Sequence, residues 1–414
     1  MATTINVRPL GLAPTYNETI VVLESDFVAL TNFKWIIDIY QGAPSDPDYT
    51  LLSSIVILPN PDGYGIIDFH RHIENYISTD FYPADKDKVI ERISKAGFKW
   101  SFRVAEQYSG NPPSYQVFGL DETTIYSFNG ALSFQGFRNW VAADYNMNST
   151  SPTTTKFLTE IPRTYNVTLE DRVWLNGLQN DATNPPILGY ITTDNGTYGV
   201  DNQYNATGQN FLVQHKIGAK DLTETTDISL VALTGALPAV DSNTTFITYT
   251  QNILPIGTEV SETITLNIVD DCSKHDSIRF FFMDKLGSYL PITFNKVSKN
   301  NITNTRSNYR QNYGNYDATA NAWGYTTYDR GNITYDLVSK EVVTCTSDWM
   351  NEDGVAMVTS MLNSPIVYIQ DENGDYVAVN ITTNSYEIKK TVNDKLINYT
   401  ISFEYASTNT NQRG

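Results

Sequence analysis

The chain has 414 residues, a formal net charge of −18 and an aromatic fraction of 12%. This length exceeds what one hydrophobic core ordinarily supports, so we expect two or three domains. The acidic balance argues against a protein that wraps nucleic acid, because such binding depends on Lys and Arg side chains that neutralise phosphates.

Charged residues make up only 18% of the chain, so Asn, Thr, Ser and Tyr must supply much of its polar surface. β-branched and aromatic side chains suit a pleated sheet, and Asn suits turns. The composition therefore predicts a mainly β, multidomain protein, with β-sandwich or β-barrel-like modules and a few short helices.

The first predicted domain covers residues 1–150 and is mainly β with short helices. Apolar and polar residues alternate from Phe33 to Ile39, which is typical of a half-buried strand. Asp68 can cap a short helix. The polar segment 146–155 is predicted to be a linker. The other elements expected here are a helix over 85–95 and strands over 98–106 and around 116–134.

A second domain is predicted over residues 156–257. Short apolar runs recur there with turn signals between them, a pattern typical of an immunoglobulin-like or fibronectin-like β-sandwich. Two of its strands are expected on either side of a turn at Glu170 and Asp171. The predicted strands are 164–169, 172–175, 187–192, 211–215, 228–233 and 245–250.

The C-terminal domain is predicted over residues 258–406, as a β domain with one helix, followed by a loose polar tail over 407–414. Ser347 is the expected N-cap of the helix, and Asn373-Gly374 predicts a hairpin. The predicted elements are a strand over 263–269, a helix over 348–362 and strands over 333–343, 366–370, 376–382 and 397–405.

The block 270–294 holds one of the two cysteines and one of the four histidines. Its two apolar runs, separated by a turn at Gly287, predict a buried strand pair. Cys272 and His275 lie among three aspartates (Asp270, Asp271 and Asp276), which suggests a nucleophile set. However, neighbours within one turn rarely converge as nucleophile, base and orienting group. We therefore interpret the cluster as a polar cap, and pairing of Cys272 with Cys345 stays open.

Other candidate motifs have structural interpretations. His70 and His72 point to different faces of a helix and cannot share a metal there. Asp371–Asp375 fits a hairpin better than a calcium loop, because Tyr376 and Thr382 stand at the sixth and twelfth positions. A distant carboxylate pair for glycoside cleavage stays open. We expect no catalytic residue, cofactor or metal site.

The segment 300–323 is rich in Asn and Tyr and has little periodicity. It predicts a long loop that is either a contact element or disordered. Tyrosine rings can stack on sugars or pack against a neighbouring subunit. The candidate intersubunit contacts are Tyr309, Arg310, Tyr313, Tyr316, Trp323 and Tyr325.

The N-terminal residues lack a basic region followed by an apolar one, so we expect no signal peptide. No apolar run approaches the roughly 18 residues that a membrane span needs.

Several segments together carry a resemblance to a known class of proteins. They are 32–40, 59–81, 156–178, 270–294, 306–310 and 347–369. The chain resembles virion structural proteins of tailed bacteriophages that infect Bacteroidetes, crAss-like phages among them. The likeness lies in the hydrophobic framework and the turns, and it carries over no functional residue. It implies a non-enzymatic ring, hub, adaptor or baseplate component of the virion tail or neck.

This resemblance implies a homo-oligomeric ring, in which copies meet through a heterologous interface. Its partners would be further copies and other tail or portal-proximal proteins. It would be assembled in the bacterial cytoplasm and conduct genomic DNA without specific binding, because acidic residues weaken contacts with phosphates. Two alternatives stay open: a receptor-binding or glycan-binding tail or baseplate protein, and a tail-associated hydrolase.

Overall fold

The structure is a computed structural model that describes most of the chain. Strands account for 50% of the chain and helices for 10%. The protein is therefore mainly β with a few short helices, as the composition predicted. The described residues are 3–44, 46, 49–79, 81, 88–109, 111–116, 124–148, 155–180, 187–201, 210–225, 230–235, 239–253, 258–270, 273–383, 397–407 and 411–412.

Fifteen of the strands lie in the first half of the chain. They are β1 (Thr4–Val7), β2 (Leu12–Pro14), β3 (Ile20–Glu24), β4 (Lys34–Gln41), β5 (Thr50–Ile57), β6 (Gly65–Asp68), β7 (Ile90–Arg92), β8 (Gly97–Tyr108), β9 (Asn111–Gln116), β10 (Ile125–Phe128), β11 (Asn146–Asn148), β12 (Thr164–Val167), β13 (Trp174–Asn180), β14 (Ile187–Thr193) and β15 (Gly196–Asp201).

The second half holds the other described strands. They are β16 (Asn210–Lys216), β17 (Leu230–Gly235), β18 (Phe246–Ile253), β19 (Thr258–Glu259), β20 (Ile264–Ile268), β21 (Ile278–Met283), β22 (Tyr289–Phe294), β23 (Lys299–Arg310), β24 (Asn315–Asp317), β25 (Ala322–Gly324), β26 (Asn332–Thr346), β27 (Val367–Gln370), β28 (Tyr376–Ile381), β29 (Thr400–Tyr405) and β30 (Asn411–Gln412).

The described helices are short. They are α1 (His70–Ile73), α2 (Phe134–Arg138), α3 (Ala219–Glu224) and α4 (Glu352–Leu362), with 3-10 turns at Glu74–Tyr76 and Ala142–Tyr145.

The chain divides into two compact units. The first comprises Met1–Asp270 and Met283–Pro291, and the second comprises Asp271–Phe282 and Ile292–Gly414. The domain boundaries predicted near residues 150 and 257 stay predictions.

In the first unit, two antiparallel sheets share one core. One has the strand order β1-β3-β6, and the other has the path β2-β10-β8-β4-β5 with β9 beside β8; within it only β2 and β10 run parallel. Trp35, Ile37 and Ile39 are at most 1% exposed and pack into this core. The predicted alternation from Phe33 to Ile39 is thus confirmed, because alternate side chains of a strand point to one face.

Two further sheets of the first unit pack face to face. One contains β13, β16 and β7, and the other has the order β12-β20-β18-β14-β15-β17. Phe157, His215 and Tyr249 lie between them and are at most 1% exposed. The Tyr249 hydroxyl lies 2.8 Å from His215 Nδ1, and the Phe157 ring lies 5.3 Å from the imidazole. This is the packing of a β-sandwich.

The strands predicted on either side of Glu170 and Asp171 are present as β12 and β13, but they lie in different sheets, because β12 runs parallel to β20 while β13 pairs with β16. Two other expected elements of the first unit are wrong. Within the predicted helix over 85–95, residues 90–92 form β7, while 85–87 lie outside the described residues. The start of the predicted linker is a strand, β11, that pairs with β13.

In the second unit, six strands lie in the order β23-β26-β29-β28-β27-β21. Phe280 packs edge-on against Phe403 at 5.4 Å, and both are 1% exposed. The predicted Asn373-Gly374 hairpin is confirmed, since β27 and β28 pair antiparallel and Gly374 has a φ of 82°. The first apolar run of the block 270–294 is present as β21, and β29 covers Thr400–Tyr405 of the strand predicted over 397–405.

Two expectations for the second unit are wrong. Asn351, and not Ser347, caps α4, because its side chain accepts a hydrogen bond from the Gly354 N–H at 3.0 Å. Ser347 instead accepts a bond from the Tyr399 N–H at 2.9 Å. The predicted loose tail contains β30, which pairs with β26.

The buried His215 predicts a pH dependence of stability. Burial lowers its pKa from 6.5 to about 3, so the folded state holds the neutral imidazole. The stabilisation is complete above pH 6.5, the pKa in the unfolded chain, and is lost as the pH falls towards 3. Denaturant unfolding at pH 7 and pH 4.5 should show the wild type losing roughly 3 kcal/mol more than His215→Gln.

His275→Gln is the control for this experiment, because His275 is exposed. It should lose as much stability between the two pH values as the wild type does. Equal losses for His215→Gln and the wild type would contradict the assignment of the effect to His215.

Candidate interaction surface

The Asn- and Tyr-rich segment predicted to be a loop is a long β-hairpin. Each of the 12 residues of β23 pairs with a residue of β26, from Lys299 opposite Thr344 to Arg310 opposite Asn332. We call residues 299–346 the arm, and residues 311–331, which connect the two strands, the tip. The loop prediction for 300–323 was therefore wrong.

Side-chain hydrogen bonds hold the two strands of the arm in register. Asn304 accepts from the Ser339 hydroxyl at 2.6 Å, and Asn308 accepts from the Thr334 hydroxyl, also at 2.6 Å. Asn300 donates to Glu341 at 3.1 Å. Because alternate residues of a strand share a face, these three asparagines form one polar row along the arm.

This polar row explains why the sequence looked like a loop. Asparagine is depleted in strands, and the arm has no apolar face to give a period of two. One signal was present: 299–310 contains neither Gly nor Pro, and Gly314 follows it. An uninterrupted run of that length is unusual for a loop.

The outer strand of the arm, β23, buries little of its surface. Of the 12 residues of β23, Ser307 is partly buried and the other 11 are exposed. Only residues 342–346 of β26 also pair with β29, and 337–338 pair with β30. An isolated two-stranded hairpin is marginally stable in water, so burial against a partner would stabilise the distal part of the arm.

The tip is built around a second, smaller hairpin. β24 and β25 place Tyr316 opposite Trp323. Gly314 has a φ of 94° and lies so close to β25 that a Cβ there would be 2.6 Å from the Gly324 carbonyl oxygen. Asp317 accepts from the N–H groups of Thr319 at 2.8 Å and Ala320 at 3.2 Å. These contacts give the tip a definite structure.

The structure brings most of the predicted contact residues together. Tyr313 and Tyr325 pack ring against ring at 5.2 Å in the tip, and Tyr309 lies 6.0 Å from Tyr335 at the end of the two long strands. Arg310, the last residue of β23, is exposed. The exposed aromatic residues of the arm are Tyr309 (45%), Tyr313 (50%), Tyr316 (52%), Trp323 (51%), Tyr325 (65%), Tyr328 (80%) and Tyr335 (49%).

The arm differs in charge from the remainder of the chain. It carries five basic and four acidic residues, a net charge of +1, so the other residues together carry −19. Three of its basic residues are Arg306, Arg310 and Arg330, and arginine is enriched together with aromatic residues at protein interfaces.

The buried ionisable groups elsewhere have structural partners. Asp284 accepts hydrogen bonds from the N–H groups of Leu286 and Ser288 at 2.9 Å each and from that of Glu160 at 2.8 Å. Burial, assisted by the charge of Glu160, raises the pKa of Asp284 to about 7. Together these bonds fix the turn between β21 and β22, which the sequence placed at Gly287.

A second buried polar cluster lies at the start of β13. Arg172 forms ion pairs with Asp221 at 2.7 Å and with Glu224. The Trp174 indole donates to Asp221 at 3.0 Å. Removing one partner of such a pair would leave a buried charge uncompensated, so we assign the cluster to the folding of β13 against α3.

Only part of the cysteine and histidine cluster that was predicted to be a polar cap lies within the described residues. Asp271 and Cys272 lie outside the described residues. The Ser273 hydroxyl contacts the carbonyl oxygens of His275 at 2.6 Å and Asn295 at 2.8 Å, as expected of a turn. Cys345 is buried, and burial raises its pKa to about 12, so its thiol is protonated at neutral pH.

The two histidines of α1 occupy a surface position. His70 Nδ1 lies 2.7 Å from Asp68, and Asp68 also accepts from the Thr19 N–H at 2.9 Å. Within the described residues, no group of three or more His, Cys, Asp and Glu side chains is arranged to hold a metal ion. Nor does any described helix have the length and apolar character needed to cross a membrane.

Comparison with known proteins identifies no family. No protein-family model matches the chain, and no curated protein matches it. Among solved structures, the native conformation of E. coli alpha-2-macroglobulin is similar at a TM-score of 0.18 and 11% sequence identity. The match covers 93% of this chain and 24% of that one. A TM-score this low supports no statement about fold or function.

The two glycines of the small hairpin predict opposite responses to the same substitution. Gly314→Ala places a Cβ against a backbone oxygen at a positive φ, which costs roughly 1–3 kcal/mol. The tip should then open locally, and the peptide over 311–331 should exchange its amide hydrogens faster than in the wild type. The midpoint of global unfolding should not change.

Gly324→Ala is the matched control, because a Cβ there meets only the Asn315 oxygen at 3.9 Å. Its tip should exchange like that of the wild type. If Gly314→Ala also left the exchange unchanged, the tip would not have the close packing described above.

Proposed function

We propose that the chain is a non-enzymatic structural subunit of a bacteriophage tail or neck, and that the arm binds a neighbouring subunit. The exposed arm is the observation that carries the proposal. It is a hydrogen-bonded ribbon with exposed side chains along β23 and seven exposed aromatic residues. Groups of exposed aromatic and arginine side chains are characteristic of protein interfaces.

The length of the arm supports a role in reaching another subunit. Ten residues of β26, from Asn332 to Glu341, precede its pairing with β29. At about 3.3 Å per residue they span roughly 33 Å, which is enough to extend across a neighbouring domain. The aromatic tip would then act as an anchor, and the polar ribbon as a connection to it.

The virion location rests on the sequence resemblance, and the charge is compatible with it. A ring of subunits that each carry −18 would repel the phosphates of DNA and let it pass without specific binding. The partners in this proposal are further copies of the chain and other tail or portal-proximal proteins.

A reconstruction of virions that encode this chain tests the location. We expect multiple copies in a ring at the neck or tail, with each arm against an adjacent subunit. Absence of the protein from purified particles would end the proposal, and its presence only on peripheral fibres would exclude the DNA-conducting ring.

Two tryptophan variants test the role of the tip. Trp323→Ser removes a ring that is 51% exposed in the tip, and Trp349→Ser removes one that is 58% exposed outside the arm. We expect Trp323→Ser to raise the dissociation constant between subunits at least about tenfold, since truncating an aromatic anchor costs roughly 2 kcal/mol or more of binding free energy. Trp349→Ser should associate like the wild type. Equal effects of the two would contradict an interface at the tip.

The second candidate is a receptor-binding or glycan-binding tail protein. The exposed rings of Tyr316 and Trp323, opposite each other on the tip, favour it because flat aromatic faces stack on sugars. A glycan array would then show binding by the wild type that Trp323→Ser abolishes and Trp349→Ser retains. Failure of the wild type to bind any glycan would exclude this candidate.

A further inference from the structure

The first unit leaves an apolar sheet edge open. Seven of the eight residues of β5 pair with β4, and β5 ends its sheet, with no second neighbour among the described strands. Its outward N–H and C=O groups therefore have no strand to pair with. Such an edge is a template for another strand.

This edge lacks the usual protection against pairing. Natural edge strands carry Lys or other charges, Pro, or a bulge that twists the edge away. β5 carries no charged residue and no Pro, and no charge occurs anywhere from Tyr49 to Pro61. Its one irregularity lies at its beginning, near Leu52, so 53–57 pair regularly with β4.

Both faces of β5 carry apolar side chains in its second half, after Ser53 and Ser54. On one face, Ile55 and Ile57 are partly buried against the core of the unit. On the other, Val56 is 54% exposed, and Leu58, the next residue after the strand, is 71% exposed. An added strand would thus bury apolar side chains on both sides of the sheet, provided that it is itself apolar and uncharged.

We propose that β5 of one copy pairs antiparallel with β5 of a second copy, which joins the two sheets across a twofold axis. This is a contact separate from the arm. The strand is self-complementary about Ile55: Ser53 then lies opposite Ile57, and Ser54 opposite Val56. Residues 53, 55 and 57 face the core in both copies, so core faces meet core faces.

Charge favours a second β5 over β23 as the occupant of this edge. β23 would bring Lys299, Arg306 and Arg310 against an uncharged apolar edge and leave them without partners. Two copies with a net charge of −18 each also repel one another. The charge-free run from Tyr49 to Pro61 lets them approach with the least electrostatic repulsion. The apolar edge β17 is two residues shorter than β5.

Matched lysine substitutions test the contact in the full-length protein by sedimentation velocity over a concentration series. Val56→Lys should raise the dissociation constant of the dimer at least about tenfold, because it places an unpaired ammonium group in the contact. Val141→Lys is the control, since Val141 is 52% exposed and lies outside the strands. It should dimerise like the wild type.

Hydrogen exchange gives a second readout that does not depend on a variant. In the wild type, the peptide over 50–58 should become protected as the protein concentration rises, and in Val56→Lys it should not. A wild type that stays monomeric would overturn the proposal. So would a dimer that Val56→Lys leaves intact, or one that dissociates with Val231→Lys on β17 and not with Val56→Lys. None of these results bears on the tip, which Trp323→Ser tests separately.

Discussion

Backbone hydrogen bonding between strands is the constraint on which this structure depends. Every strand presents N–H and C=O groups along both edges, and each row must be paired, covered or left to water. Most strands here are paired on both sides within their sheets. Among the described edges that stay open, those of β5 and β23 are the two that we propose for contacts with another subunit.

These two edges are chemically different. β23 belongs to a polar ribbon whose Asn, Ser and Thr side chains bond across the strands, and its charges suit a wet surface. β5 is free of charge and carries apolar side chains on both faces of its second half. A polar arm with an aromatic tip is suited to extend from one subunit and bind another. An apolar edge is suited to pair with a further strand and extend the sheet. The same chain thus offers two separate kinds of contact.

Buried polar groups hold the strand framework in place. His215 and Tyr249 connect two facing sheets, Asp284 fixes a turn through three backbone donors, and Arg172 is paired with Asp221. Each of these residues could suggest chemistry if it were considered alone. Their burial and their partners instead make them structural, because a buried polar group is costly unless it is hydrogen-bonded.

The sequence by itself determined the fold class and many of the strands, since the alternation from Phe33 to Ile39 and the Asn373-Gly374 turn are local signals. It also singled out the aromatic residues of the arm. Only the tertiary structure decided that 299–346 is a hairpin, that β12 and β13 lie in different sheets, and which edges stay open. Strand pairing joins residues far apart in the chain, and a polar ladder such as Asn304 with Ser339 has no periodic signature before its partner strand is in place.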